Sequence, residues 1–237
     1  MTDVSYSVCD MSSRNRRNPR RRALSTSETF LIEIESGSIA QPWFVYLFAL
    51  TDCSAFKVGF SCNPMQRICT FNRRFFDRFE LLQSLLFQVN ECEQARMLEA
   101  IVKTEFVQHG ADAPAWVPRE AGGQTEWFTA VYFGDAEAQL RSSMAQHESS
   151  RVRSAFDVFR ADLLKVRQSF EAWAIRQAQQ VTEQHEYAQR GYLVRDCGSG
   201  LRDWIDAYRY FDLPLCAEQP EAFEFVSQSI AAVSGRP

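Results

Sequence analysis

An α+β fold is predicted for this chain of 237 residues: a small mixed sheet of three to four strands flanked by helices, then an all-α region at the C-terminal end. Three observations predict it. Between about 43 and 133, apolar runs of strand length alternate with segments of helical apolar period. From about 135 to 190 the chain holds no Gly or Pro and repeats apolar residues in heptads. The composition, 46% apolar and 24% charged, is that of a packed globular protein, with 19 Phe to make the core aromatic.

In chain order, residues 1–28 are polar. The segment 14–22 carries six arginines and no apolar period, so a disordered tail is expected. It reads either as a solvated tail or as an electrostatic arm for nucleic acid. Residues 29–134 are read as one domain. Phe30–Glu35 alternates apolar and acidic residues near its end and is a short edge-strand candidate. Pro42–Leu50 is apolar, aromatic and β-branched, which predicts a buried strand. Thr51–Ser54 reads as a tight turn into a second strand, Ala55–Phe60, giving a hairpin. Asn63-Pro64 is a helix-start signal for a helix over 64–72. Phe79–Phe87 is the next strand candidate. Glu91–His109 is a helix with Ala95, Leu98, Val102 and Phe106 on one face, ended by Gly110. Residues 110–123 hold Pro114, Pro118 and Gly122-Gly123 and form a loop. Thr125–Phe133 is part strand and part entry to the next helix.

Residues 135–190 are predicted as one long helix. Val152, Phe156, Phe159, Leu163, Val166, Phe170 and Trp173 follow 4-3-4-3 spacing over three heptads. This seam has two readings: packing against the chain's own C-terminal helices, or a coiled-coil homodimer through 152–173. Aromatic seam residues favour the first. The last region, 191–237, is expected to hold helices at 200–212 and 220–234.

Net charge is −4, so the whole molecule is not a basic binder of polyanions, and any nucleic-acid contact must come from a local patch. Seven scattered cysteines with no C-x-x-C pair do not suggest a zinc site. Reduced thiols in a cytoplasmic compartment are the simplest expectation. No run of about 18 apolar residues predicts a transmembrane helix, and the first residues lack the apolar core of a secretory signal. No membrane partner is expected.

A constellation of chemistry-bearing residues falls within the α+β part. Val45-Tyr46-Leu47 lies on the first strand and Phe56-Lys57-Val58-Gly59 on the second. Arg67 follows on the first helix and Glu99 on the second. Glu126-Trp127-Phe128 ends the unit. In order and spacing these segments resemble the GIY-YIG nuclease superfamily over roughly 43–133. The branch they resemble contains the phage T5 open-reading-frame 172 and meiotically up-regulated gene 113 type domains. Members of that branch typically carry Lys-hydrophobic-Gly in place of Tyr-Ile-Gly and end in Glu-Trp-Phe. The first motif here departs from Gly-Ile-Tyr, and Phe71 stands where many members place a His or Tyr.

The resemblance implies a metal-dependent endonuclease with Tyr46, Lys57, Arg67 and Glu99 as catalytic residues. Gly59, Trp127 and Phe128 are its structural motif residues. It implies that Tyr46 helps activate the attacking water. A phenol needs nearby cations for that, and Lys57 on the adjacent strand is a candidate, as well as a candidate for direct phosphate contact. Glu99 is the expected ligand of one Mg²⁺ (or Mn²⁺), an ion that takes few protein ligands. Arg67 offers a planar fork to phosphate oxygens. Arg67, Arg73, Arg74 and Arg78 form a local basic patch for nucleic acid, DNA in preference to RNA. Phe71, Phe75, Phe76 and Phe79 interleave with these arginines and read either as base-stacking platforms or as core. The alternative reading of the chain is a catalytically inactive nucleic-acid-binding module with a helical interaction domain.

Overall fold

The computed structural model describes residues 42–145, 151–189 and 198–214. The Arg-rich segment 14–22, the strand candidate at 30–35 and the helix expected at 220–234 lie outside the described residues.

The fold is α+β, built on one five-stranded sheet. Strands β1 (Trp43–Ala49) and β2 (Ala55–Ser61) form the expected hairpin. Its turn is closed by Asp52, whose carboxylate accepts from the backbone and hydroxyl of Ser54. Helix α1 (Pro64–Phe71) follows. Asn63 caps it by accepting from the Gln66 amide at 3.0 Å, and Pro64 occupies the first turn where its missing N–H costs nothing. Strand β3 is Leu85–Val89, helix α2 is Cys92–Glu105 and strand β4 is Trp127–Thr129. Helix α3 (Phe133–Met144) comes next, then strand β5 (Arg151–Ser154). Helices α4 (Ala155–Lys165), α5 (Arg167–Gln189) and α6 (Gly198–Tyr210) complete the described chain. No helix among the described residues is long and apolar enough to cross a membrane.

The sheet order is β4-β2-β1-β3-β5, and every pairing is antiparallel. This corrects the expectation of a mixed sheet with three to four strands. The fifth strand comes from a segment whose sequence reads as helix. Arg151, Val152, Arg153 and Ser154 pair with Gln88 back to Leu85, so tertiary pairing overrides local propensity there. The strand expected at 79–87 is shifted. Residues 79–84 instead wrap the end of β1: the Glu80 amide donates to Ala49, and the Ser84 hydroxyl accepts from the Ala49 amide at 3.0 Å.

Alternation along β1 splits the core into two layers. Phe44, Tyr46 and Phe48 face α1, α4, α5 and α6, together with Phe71, Phe75, Phe79 and Trp127. Val45 and Leu47 face the opposite side, with Phe56, Val58 and Phe128 of the sheet against Leu98 and Val102 of α2 and Leu140 of α3. The single long helix expected over 135–190 does not form. Val152 lies in β5, and the remaining seam is cut at Val166 between α4 and α5. Phe159, Leu163, Phe170 and Trp173 are buried in the chain's own core. Phe170 stacks on Tyr208 of α6 at 3.9 Å, which is the packing against its own C-terminal helix. A boundary at 134 therefore does not separate the sheet from the helices that follow. The last strand and one whole face of the sheet belong to both.

Candidate functional site

Strand β4 pairs with β2 only over Ala55, Phe56 and Lys57. The next amide of β2, Val58, donates to the carbonyl of Glu126 at 3.0 Å, and there the pairing ends. Helix α1 covers one face of the sheet and α2 the other. Side chains from both layers reach each other around this edge.

Tyr46 and Gly59 are direct cross-strand partners. A Cβ built on Gly59 would fall on the Tyr46 ring, with Cε2 only 2.8 Å away. Glycine is thus the residue that lets the tyrosine lie across β2. Tyr46 is 2% exposed. Burial pushes its hydroxyl up to about 12, against the lowering effect of a hydrogen bond and the charge of Arg67. Lys57 does share the Tyr46 face, as expected. It does not serve as the tyrosine's cation, because its ammonium donates to Val58 O at 2.7 Å and to Glu126 Oε2 at 3.1 Å. Burial pulls Lys57 down to about 8, with Glu126 opposing the shift.

Arg67, one turn before Phe71, lays its guanidinium over the Phe71 ring at 4.6 Å. Its Nη1 donates to Ala121 O at 2.6 Å and its Nη2 to Gly122 O at 3.1 Å. Gly123, the next residue, abuts the Phe71 ring and leaves no room for a Cβ. Its carbonyl accepts from Trp127 Nε1 at 2.6 Å. Phe71 therefore serves as the floor under Arg67, and no proton-transfer group stands at that position.

Glu99 enters from α2. It acts electrostatically on Tyr46, Lys57 and Lys103, and responds in turn to Lys103, Glu126, Lys57 and Arg67. Partial burial raises its carboxyl above the ordinary value, with Lys103 opposing. The structure therefore brings Tyr46, Lys57, Arg67 and Glu99 into one cluster, each from a different element.

Two members of the cluster were not singled out from sequence. Glu126 is half-buried and bridges two lysines, with Oε1 at 3.0 Å from Lys103 Nζ and Oε2 at 3.1 Å from Lys57 Nζ. Thr125 Oγ1 adds a bond of 2.6 Å to Oε2. Burial would raise this carboxyl, but the bonds from Thr125, Lys103 and Lys57 outweigh it and hold it at about 2. The Glu126 backbone has φ 59°, a left-handed conformation that costs about 1–3 kcal/mol for a side-chain-bearing residue. Only its place in Glu126-Trp127-Phe128 signalled it. The other member is Lys103, whose Nζ lies 3.8 Å from Glu99 Oε2. The i, i+4 spacing from Glu99 was its signal, and that spacing ordinarily marks a surface pair.

Glu99 is the carboxylate with capacity to spare. Among the described residues Lys103 at 3.8 Å is its only ion-pair partner, whereas Glu126 is engaged by three donors. Among the described residues no three His, Cys, Asp or Glu gather as a metal-binding group. A partly buried carboxylate whose one counter-charge lies at 3.8 Å is a donor that fits Mg²⁺, which keeps several waters and takes few protein ligands.

The basic patch is only partly free. Arg74 is held by Asp77 at 2.6 Å, by Asp206 at 2.7 Å and by Asp203 at 3.3 Å. Its charge ties α6 to the body and is not presented to a ligand. Arg73 and Arg78 are exposed, and Arg78 lies over the Trp116 ring at 5.7 Å. Phe71, Phe75, Phe76 and Phe79 are all buried, so they are core and not base-stacking platforms. Compared with known proteins, the chain matches no family model, no curated protein and no solved structure.

Proposed function

We propose that this chain is a metal-dependent endonuclease that hydrolyses DNA phosphodiesters at a GIY-YIG-like site on the open edge of β2. The observation that carries the reading is the convergence of Tyr46, Lys57, Arg67 and Glu99 from β1, β2, α1 and α2 into one charged cluster. The fit of Tyr46 over Gly59 supports it, since it explains why those two motif residues belong together.

Phosphodiester hydrolysis needs a positioned water and neutralised phosphate charge. Arg67 supplies a guanidinium whose plane is fixed by Ala121 O, Gly122 O and the Phe71 ring, ready for a phosphate oxygen. With its hydroxyl held up at about 12, Tyr46 is a neutral phenol near pH 7. It acts by orienting the water through a hydrogen bond. Glu99 would hold Mg²⁺ or Mn²⁺, which supplies charge neutralisation at the scissile phosphate. A cytoplasmic setting belongs to the same proposal, in keeping with free thiols at Cys53, Cys62, Cys69 and Cys92.

The test is nicking of supercoiled plasmid by the full chain with Mg²⁺ or Mn²⁺. Glu99→Gln is expected to lower the rate by on the order of a hundredfold or more. Unchanged cleavage in both Glu99→Gln and Tyr46→Phe would sink the proposal. A second reading, a non-catalytic nucleic-acid-binding module, is favoured by the deep burial of Tyr46 and by Phe71 in the place of a proton-transfer group. Salt-sensitive binding without cleavage under either metal would select it.

A further inference from the structure

The cluster holds three cations, Lys57, Arg67 and Lys103, against two carboxylates, Glu99 and Glu126. Three minus two leaves one positive charge, and the question is which side chain presents it. Lys57 does not: its side chain is 2% exposed, and it spends its donors on Val58 O and Glu126 Oε2. Arg67 is partly committed to Ala121 O and Gly122 O. Lys103 is 41% exposed. An ammonium has three N–H donors, and among the described residues that of Lys103 makes one hydrogen bond, to Glu126 Oε1 at 3.0 Å. Its other neighbour, Glu99 Oε2, is at 3.8 Å, beyond hydrogen-bond reach.

We infer that Lys103 is the lysine that contacts the substrate's phosphate, and that Glu126 is the positioning residue that tethers it there. This rests on the nucleic-acid substrate proposed above. It reassigns the phosphate-contacting role considered for Lys57 at the sequence level. Lys57 is then the buried anchor on one oxygen of Glu126, and Lys103 the solvent-facing arm on the other. The left-handed turn at Glu126 and the bond from the Val58 amide fix the carboxylate just before the start of β4. Lys103 is thereby placed one helical turn from Glu99, so a phosphate oxygen at the ammonium lies within reach of the same edge.

Fluorescence anisotropy with a labelled 30-base-pair DNA duplex, read as log affinity against log salt, tests this on the full chain. Each lysine–phosphate contact contributes a slope of about 0.9. Lys103→Ala is expected to flatten the slope by about that amount and to weaken binding at low salt. Lys103→Arg, which keeps the charge, is expected to restore the slope. Lys165→Ala, which removes an exposed lysine of α4, is the matched control and is expected to keep the full slope. A Lys103→Ala slope equal to that of the wild type, in a protein whose circular dichroism and melting are unchanged, overturns the inference while leaving the nuclease reading intact. Binding with the expected slope loss but no cleavage under either metal upholds Lys103 and removes the nuclease. Absence of any duplex binding by the wild type removes both.

Discussion

The ring of Tyr46 occupies the space that a side chain at Gly59 would need. The two residues face each other across β1 and β2, so the fit is fixed by strand register. Gly59→Ala is therefore expected to destabilise the fold by about 1–3 kcal/mol through overpacking. The cost is steric, and a double-mutant cycle in urea shows it: with Tyr46→Ala in the background the penalty should largely vanish. An equal penalty in both backgrounds would mean that the ring is not the obstacle.

Tyr46 also gives stability a signature at high pH. Its hydroxyl sits near 12 in the folded chain against 10.0 for the free group. Between those values the folded state holds a proton that the unfolded state has released, so this group's contribution falls as pH rises through the window. Urea midpoints at pH 9, 10 and 11 should show the wild type losing ground to Tyr46→Phe. A constant difference across the range would contradict a buried, neutral phenol.

Glu126 acts in the opposite window. Its folded value near 2 lies below the ordinary 4.5. The stability it contributes is present above about 4.5 and is lost as pH falls toward 2. Glu126→Gln should therefore be less stable than the wild type at pH 6, by about 1–3 kcal/mol, because Lys57 is left buried without its counter-charge. The gap should narrow as pH falls below about 4.5 and close only toward pH 2. Equilibrium urea unfolding at stepwise lower pH measures it, and a gap that widens on acidification would refute the pairing.

Arg74 and its neighbours separate structure from recognition. Arg74→Ala takes the ion-pair partner from Asp203 and leaves Asp206, close by on α6, with Arg209 at 3.6 Å. It should cost about 1–2 kcal/mol by thermal or urea melting. Arg73→Ala and Arg78→Ala, on exposed side chains, should stay within about 0.5 kcal/mol of the wild type. If all three variants melt alike, the Arg74 cluster does not hold α6 in place.

The sequence made the first hairpin, α1 and α2 legible, because each carries its own signal. The Asp52 turn, the Asn63-Pro64 cap and the apolar face of Ala95, Leu98 and Val102 are all local. What escaped was set by distant partners. Nothing in Arg151–Ser154 favours a strand until β3 offers an edge to pair with. No Gly or Pro marks the break at Val166, so a heptad ran unbroken on paper where the chain folds back into its own core. The candidate site divides in the same way. Tyr46, Gly59, Arg67 and Glu99 were found through motif order. Lys103 carries no sequence signal beyond its i, i+4 spacing from Glu99, and Glu126 none beyond its place in Glu126-Trp127-Phe128. Their pairing comes from a left-handed backbone just before β4 and from α2 reaching that edge, which no local pattern encodes.

The pairing of β5 with β3 has a practical consequence for dissecting this protein. A fragment ending near 134, where motif order alone would place the cut, takes away the strand that seals the β3 edge. It also takes away Phe159 and Tyr208, which cover the Tyr46 face. Such a piece would present unpaired backbone along Leu85–Gln88 beside bare aromatic surface, the combination that drives edge-to-edge aggregation. Inclusion bodies from such a minimal fragment would thus report a missing strand and a missing lid on the core, and say nothing about whether the site is competent. A cut that respects the sheet falls after α6.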